Sequence, residues 1–399
     1  MDKDFFLIGI DGGATKVNGW SIDVLDDGKS FAFGEFNAVK SYREIPGYIE
    51  NFKPVDINIQ LAGLAAGNIV PTEEELTQGK TYTQAVAQII ENIVRKSGKI
   101  RVLIGVGMPG LKTKDERGIG AMANGPRIVR YAEDIEAMLQ IAGIELAEPI
   151  SHIGSDAYYC GLGEEYAADG QFRNAENSYY LGGGTGAADA VKLRGEVVAL
   201  DRIKDWFVKA WEMKSDEGRS VEKYVSSRGI QSIYADAVQK DITQIEEQKI
   251  YPPQIRDRAL AGEPAACDVF RTLSSHIAVL LYERITTLYS GWQGLFQFVN
   301  PNRAIPSKTH PYHKSLLDSL IIGQRLGDLF DECRDDDLLW NPMMRQLSGL
   351  IAESTCLDEP AKRHYLANGR FRTELFKISK LREAPAIGAG IDAFLKRRN

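Results

Sequence analysis

The chain has 399 residues, with 48 Lys and Arg against 55 Asp and Glu and a formal net charge of -7. That length exceeds one ordinary core and points to two lobes of roughly 150 to 200 residues. With 44% hydrophobic and 26% charged residues, no apolar run of about 18 residues and no dense basic run, the composition argues against disorder, a membrane protein or nucleic acid as a partner.

From Phe5 to Ile10 the residues are continuously apolar and end on Asp11-Gly12-Gly13, which predicts a buried strand entering a glycine turn. Lys16 to Val24 and Ser30 to Phe36 read as two more strands around the hairpin signal Asp26-Asp27-Gly28, so the opening is an antiparallel meander. Apolar spacing from Thr83 to Lys96 predicts a helix. Val102 to Val106 predicts a strand ending in Gly107-Met108-Pro109-Gly110, and the alternation marks an α/β sheet.

The second half repeats this grammar. Pro149 to Ile153 reads as a strand leading to Asp156, with a helix after it to Ala168. Ser178 to Leu181 is a strand ending in Gly182-Gly183-Gly184-Thr185-Gly186, followed by the strands Ala190 to Leu193 and Glu196 to Leu200 around Arg194-Gly195. A strand, a glycine turn and a hairpin thus occur twice, as two similar lobes would produce. A long helix is predicted over Ala265 to Tyr289, then strands over Leu295 to Val299 and Leu320 to Ile322. No linker composition divides the chain, and the lobe boundary is expected near residue 150.

Cys160, Cys267, Cys333 and Cys356 stand singly, without the CxxC or CxC that grips zinc, and suit a reducing cytoplasm. Met1-Asp2-Lys3-Asp4 precedes the first strand with no apolar stretch for a signal peptide.

Two segments suit phosphate. Asp11-Gly12-Gly13-Ala14-Thr15-Lys16 offers close backbone approach, a hydroxyl, and a carboxylate able to hold Mg²⁺ through water; the alternative is a hairpin turn capped by Asp11. Gly182 to Gly186 spends four glycines in five residues, costly in chain entropy unless backbone must meet a ligand. Neither GxxxxGK[ST] nor a strand-following GxGxxG is present. Asp156, after a strand and before a helix, suits a base that takes a proton from a substrate hydroxyl, or equally an N-cap.

These motifs, with Asn124-Gly125 and Ile322-Gly323-Gln324-Arg325-Leu326-Gly327, occur in the order seen in the ROK-family sugar kinases. Ala386-Ile387-Gly388-Ala389-Gly390 is similar to that family's closing helix, so the resemblance spans the chain. It implies an α/β fold of two ribonuclease-H-like lobes, as in the actin-like, sugar-kinase and heat-shock ATPase superfamily, around a central cleft. The lobes would be 1–150, completed by a helix over 385–399, and 151–384 with helical insertions. It also implies an ATP-dependent hexose or N-acetylhexosamine kinase, cytoplasmic, with Mg-ATP and a small sugar as its ligands; related kinases are often homodimers.

Carried over by residue, Asp11 would hold Mg²⁺ through water, and Gly12, Gly13, Thr15 and Lys16 would face the phosphates. Gly183, Gly184, Thr185 and Gly186 would form a second phosphate loop, with Gly323, Gln324 and Arg325 on the adenosine side. Gly110, Asn124, Glu212 and Glu222 would bind the sugar, and Asp156 would be the base. Zinc-binding members carry GExGH and CxCGxxGCxE; here no CxC exists and Ser215 stands for the His, so no zinc site is expected. Gly323-Gln324-Arg325 likewise replaces a glycine cluster. DNA-binding relatives carry a helix-turn-helix ahead of the first strand; with that strand starting at Phe5, none is expected here. A nucleotide-binding sugar sensor or ATPase without kinase activity is the alternative.

Overall fold

In the computed structural model, which describes residues 5–398, the chain forms two compact units, Met1–Gly170 with Glu383–Asn399, and Gln171–Arg382. Residues 1–4, on which the expectation about a leader falls, and residue 399, the expected end of the last helix, lie outside the described residues.

In the first unit, β1 (Phe6–Gly12) buries Leu7, Ile8 and Ile10, the continuous apolar run of a strand covered on both faces. It pairs antiparallel with β2 (Lys16–Leu25), which pairs antiparallel with β3 (Ser30–Ser41). Asp26, Asp27 and Gly28 make the β2–β3 turn at positive φ, which Asp and Gly tolerate best. Two helices follow, α1 (Ile57–Ala65) and α2 (Glu73–Ser97). The second begins well before the apolar periodicity does, because Thr72 and Glu75 form a capping box and three glutamates fill its first turn.

β4 (Arg101–Gly107) then runs parallel to β1. A small ribbon, β5 (Leu111–Lys112) with β6 (Ile119–Ala121), leads to α3 (Tyr131–Ile141) and β7 (Glu145–Leu146). Of the strand expected over Pro149 to Ile153, only β8 (Ile153–Gly154) pairs, with β4. Pro149 has no N–H, and the Ile150 backbone is bonded by side chains instead, its N–H by Glu136 and its carbonyl by Arg117. The strand order is β3-β2-β1-β4-β7, with β8 also on β4.

The helix Ala384–Arg398 lies directly on this sheet. A Cβ on Gly9 would come 1.9 Å from the Ala386 carbonyl oxygen, and one on Gly105 1.8 Å from that of Ala389. The same helix crosses α4 (Asp156–Tyr166), where a Cβ on Gly388 would meet the Tyr159 carbonyl oxygen at 1.9 Å. This packing keeps α4 in the first unit, and the division falls at Gly170 rather than near residue 150.

The second unit repeats the pattern. β9 (Ser178–Gly183) pairs antiparallel with β10 (Ala187–Leu193), which pairs with β11 (Glu196–Val198). On its other side β9 pairs parallel with the strand Ser319–Gly323, which pairs parallel with Phe376–Ile378. The long helix Pro264–Ser290 buries Leu273, Ile277 and Leu281 in this unit's core. Of Leu295 to Val299 only Gln297–Phe298 forms strand, and it pairs with Met213–Lys214 rather than with the sheet. Gly291 and Gly294 at positive φ turn the chain away just before it. Each unit is an α/β lobe on a mixed sheet, in the ribonuclease-H-like pattern that the motifs imply.

Candidate active site

In the first unit the turn from β1 to β2 carries the first phosphate motif. Its Gly13 N–H donates to the Lys16 carbonyl at 2.9 Å. Gly12 has no room for a side chain, since a Cβ would lie 2.4 Å from Met108 Sδ. Thr15 is exposed and Lys16 half-buried. Among the described residues, the amides of Ala14 and Thr15 have no acceptor.

Asp11 ends β1 as a half-buried residue, and its carboxyl pKa is pushed up to about 7. Burial is the main cause, followed by the negative charges of Asp156 and Glu383; the Asn18 amide and the Lys16 ammonium act the other way. Carboxylates gathered with too little positive charge favour a cation, which would bring the pKa back down. Among the described residues no group of three or more His, Cys, Asp and Glu could hold a metal ion.

Asp156 is the first residue of α4, and Ser155, not Asp156, is the N-cap. Its Oδ1 accepts the Ala157 N–H at 2.9 Å. Beneath it the Tyr159 ring fills the space left by Gly154, where a Cβ would come 2.0 Å from Tyr159 Cζ. The Tyr159 hydroxyl donates to Asp392 at 3.1 Å, fixing that ring.

Gly110 and Asn124 flank the β5–β6 ribbon of the same unit. Gly110 has φ of 97°, and Lys112 Nζ donates to its carbonyl at 2.8 Å. Asn124 is exposed in a loop held on both sides by residues that the motifs do not include. Gln60 Nε2 donates to the Met122 carbonyl at 3.2 Å, and Gln60 Oε1 accepts the Met122 N–H at 2.7 Å. Beyond Asn124, Glu75 takes both the Nε and Nη2 of buried Arg127. The sequence signal for this is slight, a Gln60 set between Ile59 and Leu61.

In the second unit the turn from β9 to β10 carries the second motif. Gly183 is closed in: a Cβ would lie 2.0 Å from the Val225 carbonyl oxygen. Gly184 N–H donates to the Gly186 carbonyl and Ser227 N–H to the Gly184 carbonyl, both at 2.9 Å. Thr185 and Gly186 are exposed, and among the described residues their amides have no acceptor. Gln324, at φ of 57°, packs its side-chain amide on this loop, 3.0 Å from where a Gly184 Cβ would stand. Arg325 beside it is exposed.

The two glutamates differ. Glu222 Oε1 accepts the Ala187 N–H at 3.0 Å, at the edge of the glycine loop. Glu212 is engaged elsewhere in this unit, Oε2 by the Lys209 N–H at 3.0 Å and Oε1 by Arg303 at 3.6 Å. Ser215 lies between them in sequence; its hydroxyl bonds that of Tyr224 at 2.8 Å, Tyr224 donates on to Glu217, and the Tyr224 ring stacks on His276 at 3.8 Å. His310 stacks on Trp206 at 3.9 Å and bonds the Thr287 carbonyl, a packing role.

No family model matches the chain, and no curated protein matches it. Solved structures do. The ROK hexokinase from Thermus thermophilus is similar at a TM-score of 0.54 and 16% identity, over 99% of this chain and 99% of that one. A ROK family glucokinase from Streptomyces griseus, in complex with glucose and AMPPNP, is similar at 0.55 and 15%, over 99% and 100%. A ROK family transcriptional regulator, a homolog of the E. coli MLC protein, is similar at 0.51 and 13%, over 98% of this chain and 79% of that one. Identities this low speak to architecture and leave chemistry to the site itself. The chain has the α/β fold of the ROK-family sugar kinases.

Proposed function

We propose that this protein is an ATP-dependent sugar kinase that transfers the γ-phosphoryl group of Mg-ATP to a hydroxyl of a hexose or N-acetylhexosamine. The observation that carries this reading is the acidic pair in the first unit. Asp11 is buried beside Asp156, at a helix N-terminus, and burial first and the Asp156 charge second raise its pKa; Asp11 adjoins a turn whose Ala14 and Thr15 amides have no backbone acceptor among the described residues. A base, an anion cradle and an unneutralised carboxylate are the parts that phosphoryl transfer needs.

Asp156 takes the proton of the sugar hydroxyl as that oxygen attacks the γ-phosphorus and ADP departs. Asp11 would hold Mg²⁺, and the cation would offset charge on the phosphate oxygens. The Ala14 and Thr15 amides, the Thr15 hydroxyl, Lys16 and the Gly183-Gly184-Thr185-Gly186 loop bind phosphate oxygens, with Gly323, Gln324 and Arg325 toward the adenosine. Asn124, beside Gly110, and the remaining oxygen of Glu222 bind sugar hydroxyls. Glu212, with both oxygens engaged, is left out of this set.

A second reading, a sugar sensor or ATPase without kinase activity, is favoured by the regulator that shares the fold. Coupled ADP release over a panel of hexoses, hexosamines and N-acetylated amino sugars, with a no-sugar control, separates the two. The kinase gives a sugar-dependent rate that Asp156→Ala abolishes; a sugar-independent rate, or nucleotide binding without turnover, favours the second reading.

A further inference from the structure

The phosphate turn of the first unit has its carbonyls accounted for one by one. Tyr42 Oη donates to the Gly13 carbonyl at 3.1 Å, and Tyr82 Oη donates to the Ala14 carbonyl at 2.9 Å. The Tyr42 N–H donates to the Thr15 carbonyl at 3.2 Å, and the Lys16 carbonyl accepts from Gly13. Both tyrosines are buried, at 0% and 2% exposure, and their rings stack 3.7 Å apart at 14°.

In a trans peptide the C=O and the next residue's N–H point in opposite directions. Pinning the Gly13 carbonyl inward therefore turns the Ala14 N–H away from the tyrosines, and pinning the Ala14 carbonyl does the same for the Thr15 N–H. Those are the two amides that lack acceptors among the described residues. Tyr42 comes from the segment after β3 and Tyr82 from the middle of α2, so two distant pieces of sequence converge on consecutive peptide planes. Burial holds both phenols well above their ordinary pKa, which keeps them donors throughout the working pH range.

We propose that the stacked pair Tyr42 and Tyr82 are positioning residues for nucleotide phosphate, aiming the Ala14 and Thr15 amides at its oxygens by holding the carbonyls behind them. This rests on the kinase reading, which supplies the phosphate. The pair touches no substrate itself. Without the hydroxyls the turn remains, but its peptide planes are free to rotate, and amides that must be ordered on binding bind more weakly.

The test is Tyr42→Phe, Tyr82→Phe and the double variant, which keep the rings and their stacking. Calorimetric binding of Mg-AMPPNP is measured for each, with steady-state KM for ATP and for the best sugar and a thermal unfolding curve. Each hydroxyl lost is expected to weaken Mg-AMPPNP binding and raise the KM for ATP by about five- to tenfold, the size of one lost hydrogen bond. The sugar KM is expected to stay within about twofold, because a general loosening would move both constants and a phosphate-aiming role moves one. Unchanged nucleotide binding in the double variant overturns the proposal while leaving the kinase reading in place, and so does a matched rise in both KM values. Absence of Mg-AMPPNP binding in the unaltered protein overturns both.

Discussion

The two glycine turns occupy equivalent places, each after a central strand and before a hairpin, yet their backbones are set by different means. In the first unit, side-chain hydroxyls grip the carbonyls from behind, and the glycines leave some room: a Cβ on Gly13 would meet only the Lys16 carbonyl oxygen, at 3.3 Å. In the second, the turn is bonded to itself and to Ser227, and a Cβ on Gly183 meets main chain at 2.0 Å. The carboxylates differ as well. Asp11 sits among more negative than positive charge, whereas Glu222 is tied to a backbone amide. One fold pattern has thus produced one turn gripped by buried hydroxyls beside two acids and another held mainly by its own and neighbouring main chain. The first should carry chemistry and the second shape.

The sharpest way to break this contrast is at the acid. Asp156→Asn keeps the helix terminus and removes the proposed base, and kcat is expected to fall by about 10² to 10⁴-fold with KM for ATP little changed. Turnover within tenfold of the original would remove Asp156 from the role. Glu222→Gln, which keeps an acceptor for the Ala187 N–H, should act mainly on the sugar KM.

Asp11 comes next, read through stability. Its pKa of about 7 lies above the ordinary 3.8, so the folded state holds its proton where the unfolded chain has lost it. The protein is therefore penalised progressively as pH rises from about 4 to 7, and the penalty is complete above 7. Asp11→Asn removes that slope. In chelator, thermal unfolding should show the variant more stable by roughly 2 to 4 kcal/mol at pH 8, with the gap narrowing toward pH 5.5. A gap that stays constant with pH would mean that the carboxyl is not strained, and would weaken the case for a cation beside it.

Much of this architecture was legible in the sequence, because buried strands advertise themselves as apolar runs and turns as glycine and aspartate. β1, β2, β4, β9 and the helix Pro264–Ser290 fall where the pattern puts them. The short strands fared worse, since a two-residue pairing such as Gln297–Phe298 depends on what lies opposite rather than on its own composition. At the site, the motifs announced the turns themselves but not what orients them. Tyr42, Tyr82, Gln60 and Glu75 are far in sequence from the loops that they hold, and a buried tyrosine or glutamine has no local pattern to distinguish it from ordinary core. The engagement of Glu212 was only partly legible: its bond to the Lys209 N–H is local, three residues away, but Arg303 becomes a neighbour only through tertiary folding.

The glycines offer a smaller and purely structural test of the same comparison. Gly183→Ala drives a methyl into the Val225 carbonyl and toward Leu326, main chain that cannot swing aside, and should cost about 1 to 3 kcal/mol in thermal unfolding. Gly13→Ala, against one carbonyl at 3.3 Å and without positive φ, should cost under about 1 kcal/mol. Equal costs would mean that the two turns are held alike.

The smallest effect is expected at Arg325. The guanidinium is exposed next to Gln324, whose amide packs on the second turn, so its removal should leave stability within about 0.5 kcal/mol. If it helps to hold nucleotide, Arg325→Ala raises the KM for ATP by about two- to fivefold, and the rise shrinks as salt is added, because an exposed charge acts through a screened field. Arg325→Lys should recover most of a field effect and little of a planar, bidentate contact. A salt-independent loss that Lys does not recover would show that Arg325 grips the nucleotide directly, giving the second unit a chemical contact as well as a shaped turn and narrowing its contrast with the first.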